Sequence, residues 1–228
     1  MTAQSFNQYQ SSLNMISIIN QKIEREGKPC YQTKFFAKNK YIYLPDKVAS
    51  HVLVVKEGRV KIGSHHDGKE VIKKIAIKGE IFGEFSLIGQ TSRKDYAITM
   101  EDTEVYLLSN EELQALMQEH KSLSHYMMRI LGNRLMDMEQ RLESLVFQTS
   151  RDRIIGFLEK LVQRRGQRVG YEMLVRKFFT HQEIANLTAT SRQTVTMVLN
   201  DLRNKNILTF DRRRLLIRDM DLLRAEAA

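Results

Sequence analysis

Cysteine is almost absent. The single Cys30 in 228 residues excludes an internal disulfide, a four-cysteine zinc site and a cysteine-ligated iron–sulfur cluster within one chain, and reads as structural filler or a weakly reactive thiol. Long apolar runs are missing too. In the first thirty residues only Ile16, Ile18 and Ile19 stand close together, too short a cluster for a signal-peptide core or a membrane span, so the expected location is the cytoplasm with no membrane partner. With 42% hydrophobic and 28% charged residues, the composition has no bias towards disorder or a fibrous repeat. Catalytic signatures are equally scarce. The six histidines, at 51, 65, 66, 120, 125 and 181, include one adjacent pair, with no nearby carboxylate repeat beyond Asp67. No nucleophile and base share a recognisable motif, so no catalytic residue and no metal ligand is expected, and an enzyme has no support.

What is present is positive charge, unevenly placed. The chain has 36 Lys and Arg against 27 Asp and Glu, a net charge of +9. Residues 1–150 hold 20 basic against 18 acidic side chains, and residues 151–228 hold 16 against 9. The C-terminal third therefore carries most of the surplus, the electrostatic footprint of a polyanion partner. The length exceeds an ordinary domain of ~100–200 residues, which points to two compact units.

From Lys34 to Leu108 short apolar stretches alternate with turn signals. Tyr41-Ile42-Tyr43-Leu44, His51-Val52-Leu53-Val54-Val55, Arg59-Val60-Lys61-Ile62 and Val71-Ile72-Lys73-Lys74-Ile75 read as strands. Glu57-Gly58, His66-Asp67-Gly68 and Lys78-Gly79 separate them. Such close spacing predicts a β-sandwich or jelly roll. Ser109, with Glu112 three residues on, caps the helix that follows. Next comes a heptad seam, Met128, Leu131, Leu135, Met138, Leu142 and Leu145, at intervals of 3, 4, 3, 4 and 3, with polar residues on the other faces. A stripe this narrow fits parallel self-association better than packing on the chain's own β domain. The seam ends at Gln148-Thr149-Ser150, where Thr149 or Ser150 caps a new helix carrying Ile154, Ile155, Leu158, Leu161 and Val162.

Thr180-His181-Gln182-Glu183 is a capping box that starts a short helix with Ile184, Ala185 and Leu187 on its buried side. Thr188-Ala189-Thr190 forms a turn, and Ser191 caps a second helix carrying Val195, Val198, Leu199 and Leu202. This pair is a helix-turn-helix. The second helix turns Arg192, Gln193, Thr194, Thr196 and Met197 outward. Arginine donates bidentately to guanine, glutamine pairs with adenine, and Thr196 or Met197 reaches a thymine methyl. Ser191, Thr194, Thr180, His181 and Gln182 suit phosphate oxygens. Ile207 to Phe210 and Leu215 to Ile217 flank Asp211-Arg212-Arg213-Arg214, a basic-tipped hairpin of the kind that forms a wing. Arg212 and Arg213 are its DNA contacts.

Along nearly its whole length the chain resembles the CRP/FNR family of bacterial transcription regulators. The run from Thr180 through Ser191-Arg192-Gln193-Thr194-Val195 to Leu202 is similar to that family's helix-turn-helix, and Gly79-Glu80-Ile81-Phe82-Gly83-Glu84-Phe85-Ser86-Leu87 to its phosphate-binding cassette. The resemblance implies an α+β architecture. An N-terminal β jelly roll occupies 1–120, a long dimerisation helix 121–147 and a C-terminal winged helix-turn-helix 148–228. It implies a homodimer on a palindromic double-stranded operator, in contact with RNA polymerase. In members that bind cyclic AMP, the glutamate of the Gly-Glu pair holds the ribose hydroxyl, an Arg-Ser pair holds the phosphate, and a threonine of the dimer helix meets the adenine. Glu84, between Gly83 and Phe85, and Arg93 take the first two roles. Lys94, however, stands at the serine position, and Met138 and Glu139 stand near the Thr-Ser of the dimer helix. A thioether is too weak an acceptor to replace that threonine. The expected effector is a small anion or nucleotide, with cyclic AMP disfavoured and no cofactor assigned. Cys30 alone cannot supply the cysteine cluster of the oxygen-sensing branch. His65 and His66, the nearest candidates for a haem ligand, read as hairpin-tip residues. The competing readings are an effector-independent regulator and a basic protein that coats DNA without regard to sequence.

Overall fold

The computed structural model describes residues 15–17, 20 and 31–227; Ile18, Ile19 and Cys30 lie outside the described residues. The chain divides into two compact units, Met1–Asn133 and Arg134–Ala228.

Among the described residues the first unit contains eight strands: β1 (Gln32–Phe36), β2 (Tyr41–Tyr43), β3 (His51–Glu57), β4 (Arg59–His66), β5 (Lys69–Ile77), β6 (Ile81–Phe82), β7 (Tyr96–Thr99) and β8 (Thr103–Ser109). They form two four-stranded antiparallel sheets, ordered β1-β8-β3-β6 and β2-β7-β4-β5. Side chains alternate across each strand. Leu53 and Val55 of β3 therefore join Val60, Ile62, Ala76, Phe82, Ala97 and Val105 in a core drawn from both sheets. Val52 and Val54 point the other way, into a second core with Ile81, Tyr106 and Leu108, which helices cover. That two-sided burial explains why Val52 to Val55 is an unbroken apolar run rather than an alternating one.

Helix α1 (Asn110–Glu119) begins at Ser109 as the sequence predicts: Glu112 donates its amide to Ser109 Oγ at 3.1 Å, and the Ser109 amide donates to Glu112 Oε2 at 2.7 Å. Leu113 and Leu116 of α1 enter the second core. So do Leu123 and Met127 from the start of helix α2 (Lys121–Phe147). Each fully buried side chain of this size contributes ~1.5–3 kcal/mol. The β4–β5 hairpin turns at Asp67 and Gly68, both with positive φ, the conformation favoured in tight hairpins.

In the second unit Thr149 is the cap of helix α3 (Ser150–Arg165), and its boxed partner is Asp152. Ile154, Ile155, Leu158, Leu161 and Val162 are buried along one face of α3, the spacing of an amphipathic helix. A small antiparallel sheet, ordered β11-β12-β10-β9, contains β9 (Gln167–Val169), β10 (Glu172–Arg176), β11 (Leu208–Phe210) and β12 (Arg214–Ile217). Helices α4 (His181–Thr188) and α5 (Arg192–Asn204) lie between β10 and β11 in the chain. Helix α6 (Met220–Ala225), which the sequence reading did not anticipate, is capped by Asp219. Arg151 of α3 is ion-paired with Asp201 of α5 at 2.7 Å and with Glu226, and Lys205 pairs with Glu226 at 2.7 Å. These pairs fasten α3, α5 and the segment after α6 together.

Candidate nucleic-acid interface

The helix-turn-helix is held by local hydrogen bonds. Thr180 caps α4: its hydroxyl accepts from the Glu183 amide at 3.2 Å, and its own amide donates to Glu183 Oε2 at 2.8 Å. Ala189 takes a left-handed conformation with φ 52°, which turns the chain. Thr188, expected in that turn, is instead the last residue of α4 and is buried, its hydroxyl donating to Ile184 O at 2.8 Å. Leu187, expected on the buried side, is only half-buried. The helix runs one residue further than the spacing implied, and the satisfied hydroxyl makes Thr188 acceptable inside.

Ser191 opens α5 by accepting from the Thr194 amide at 3.0 Å. Val195, Val198, Leu199 and Leu202 are buried, and the opposite side presents Arg192, Gln193 and Met197 to solvent. Thr194 is half-buried, its hydroxyl 2.8 Å from Ser191 Oγ. Thr196 is also half-buried. Its hydroxyl donates to Arg192 O at 2.9 Å and lies 2.8 Å from His181 Nδ1, so that His181 bridges the two helices. Burial, and secondarily the Arg192 charge, hold the His181 pKa below the ordinary imidazole value. Gln182 is exposed and donates to Asn186 Oδ1 at 2.9 Å. At the wing, Asp211 Oδ1 accepts from the amides of Arg213 and Arg214 at 2.6 and 2.8 Å, and the side chains of Arg212 and Arg213 are exposed. The structure thus puts Arg192, Gln193 and Met197 on one exposed helix face, with His181 joined to that helix through Thr196.

The seam of α2 is largely uncovered. Met128, Leu135, Met138, Leu142 and Leu145 are exposed and Leu131 is half-buried. Five exposed apolar positions and one half-buried one, at heptad spacing, form a surface suited to a second helix.

In the cassette-like segment, Gly83 has φ 73° and precedes a 3-10 helix, Glu84–Ile88. Glu84 and Arg93 are both buried, 2% and 6% exposed. Arg93 donates from Nη1 to Gly83 O at 2.7 Å and from Nη2 to His51 O at 2.5 Å, and its guanidinium carbon lies 4.5 Å from the Tyr43 ring centroid. Burial lowers the Arg93 pKa, with Tyr43 and Asp95 opposing. A Cβ on Gly83 would come within 2.6 Å of Arg93 Nη1, so that glycine is required for the approach as well as the turn. Phe85 and Lys94 are exposed. Tyr43 and the His51 carbonyl escaped the sequence reading; they lie about fifty and exactly 42 residues from Arg93 respectively, and no local pattern marks them. His66 is exposed at the hairpin tip, His65 stacks on Tyr96 with centroids 4.7 Å apart, and no cluster of three or more potential metal ligands occurs among the described residues. No helix among them is long and apolar enough to cross a membrane.

Residues 33–120 match the cyclic nucleotide-binding domain, and residues 152–226 match the Crp-like helix-turn-helix domain. Similar proteins include the cyclic AMP receptor protein of Thermus thermophilus, 30% identical over 179 residues that span 78% of this chain and 80% of the relative. The global nitrogen regulator of a Nostoc species is 26% identical over 185 residues, 80% of this chain and 83% of its own. Among solved structures, a CooA mutant from Carboxydothermus hydrogenoformans matches with TM-score 0.81 at 24% identity over 96% of this chain and 97% of that one, a likeness of fold. A CRP-family transcriptional regulator of Thermus thermophilus matches with TM-score 0.70 at 26% identity, covering 85% and 96% of the two chains.

Proposed function

We propose, from the premise that the chain belongs to the CRP/FNR family of transcription regulators, that it acts as a homodimer on a roughly palindromic operator. The family is non-enzymatic, and this member combines a DNA-binding helix-turn-helix with an effector-binding β domain. The observation that carries the finer reading is the outward face of α5, where Arg192, Gln193 and Met197 are exposed beside a capped N-terminus. Arg192 reads a guanine, Gln193 favours adenine, and Met197 covers at most a thymine methyl. Thr180, Gln182, Ser191 and Thr194, together with Arg212 and Arg213 on the wing, serve phosphates. The exposed seam of α2 supplies the self-association that a two-half-site operator requires, with recognition helices about 34 Å apart. Residues 1–120, 121–147 and 148–228 are the sensing, pairing and reading segments, and the protein works in the cytoplasm with RNA polymerase.

The effector is a small anion or nucleotide held near Glu84 and Arg93, and it acts by binding one subunit arrangement better than another. Lys94, exposed where the cyclic-AMP-binding members carry serine, and Met138 argue against ordinary cyclic AMP selectivity. Selection of random duplexes by the purified protein, with and without cyclic AMP, tests the reading. An enriched palindrome with one fixed guanine per half-site, unchanged by cyclic AMP, is expected. Equal recovery of all sequences would instead support a basic DNA-coating protein, and enrichment only with cyclic AMP would overturn the effector assignment.

A further inference from the structure

His181 sits at the first position of α4, one turn of hydrogen bonding away from the reading end of α5. The Thr196 hydroxyl has one proton, and it is donated to Arg192 O. With that proton on Arg192 O, the 2.8 Å contact between Thr196 Oγ1 and His181 Nδ1 is made with Nδ1–H as donor, the tautomer that leaves the lone pair of the neutral ring on Nε2. Nε2 makes no hydrogen bond among the described residues. The ring is held from a third side by Phe210 of β11, edge-on with centroids 5.6 Å apart, and Arg203 lies over the same Phe210 ring at 5.3 Å. On its own helix, Gln182 is bonded to Asn186, and the Glu183 carboxylate to the Thr180 amide and hydroxyl. Arg192 opposes a further positive charge on the imidazole, the Glu183 carboxylate is already engaged by its cap, and Arg203 reaches the site only through the Phe210 ring.

The first helix of a helix-turn-helix crosses the DNA backbone when the second enters the major groove. We infer that operator binding takes up one proton from solvent at His181 Nε2 in each half-site, converting a neutral bridging residue into a charged phosphate contact. The inference rests on the DNA-reading assignment above. Nδ1–H keeps its bond to Thr196 throughout, so the recognition helix stays in place while the ring gains charge. In the free chain burial and Arg192 depress the imidazole pKa; a phosphate anion acts in the opposite direction. A group whose pKa is higher in the complex strengthens binding as pH falls from above its bound value to below its free value, and affinity is level outside that window.

The test uses the full-length chain and a duplex carrying its selected operator, with affinity measured by anisotropy from pH 8 to pH 5.5. Wild-type affinity should rise by up to about tenfold per half-site for a one-unit displacement, and its salt dependence should steepen by about 0.9 per half-site in log–log slope. His181→Gln should lose the His181-specific rise, and His181→Arg, charged at every pH, should bind at the acidic wild-type level throughout. Calorimetry at pH 6.5 in buffers of different ionisation heat should give proton uptake for the wild type and none for His181→Arg. Identical pH profiles for wild type and both variants would overturn the inference while leaving the DNA reading intact. No preference for any duplex at any pH would bring down both.

Discussion

Arg93 and Arg192 are the same residue used in opposite ways. Arg93 is buried in the β unit with its guanidinium on two backbone carbonyls and the Tyr43 ring. Arg192 stands exposed at the start of α5 with no hydrogen bond to its side chain among the described residues. The inward arginine has its partners already; the outward one awaits them. The same division separates Glu84, buried, from Leu135 and Leu142, which lie open on α2. Substituting an inward group should therefore register in stability as well as in any ligand it holds, whereas substituting an outward group should register in association alone, and substitutions can test that partition.

The largest effect is expected on the outward side. Replacing Leu135 and Leu142 together with Asp places carboxylates against each other across a two-helix seam, at a cost of several kcal/mol to association. Sedimentation at micromolar concentration should show monomers with unchanged circular dichroism; a persistent dimer would remove α2 as the pairing element. Next, Arg93→Ala deprives two carbonyls of a charged donor and should lower unfolding free energy by about 2–4 kcal/mol in denaturant titration. A loss below ~0.5 kcal/mol would mean that Arg93 is not a structural clasp. Arg192→Ala should leave stability within ~0.5 kcal/mol and cost ~1–3 kcal/mol of binding per half-site, relaxing discrimination at one guanine. Gln193→Glu should move base preference from adenine towards cytosine by ~1 kcal/mol or more, seen by competing single-base operator variants. If the preference stays put, Gln193 reads no base. The smallest effect belongs to the wing: neutralising Arg212 and Arg213 should weaken all sequences alike and flatten the salt dependence.

Interactions that close within three or four residues were legible in the sequence. Ser109 with Glu112 and Thr180 with Glu183 form the boxes their spacing implies, because a cap depends only on the residue types in one turn. The α2 seam and the apolar side of α5 follow from periodicity in the same way. Asp219, capping α6, is a local signal of the same kind, though without a Glu or Gln three residues on. What escaped depends on chain reversals that periodicity does not encode. The Arg93 contact to His51 O spans 42 residues and the His181 contact to Thr196 spans 15. Within β4 and β5 a register shift between Ile62 and Gly63 interrupts the alternation, so strand pattern alone could not set which side chains share a face there. Thr188 was misplaced by one residue because a hydroxyl that satisfies itself on the preceding turn behaves as an interior residue.

Ala189 leaves a margin for heat resistance. Its left-handed backbone, φ 52°, costs an L-residue with a Cβ roughly 1–2 kcal/mol, and the side chain is exposed. A glycine would relieve that strain and return part of the gain as unfolded-state entropy. Ala189→Gly should therefore raise the melting temperature by a few degrees at most, a reserve of durability lying in the hinge of the reading head and outside every side chain assigned to touch DNA.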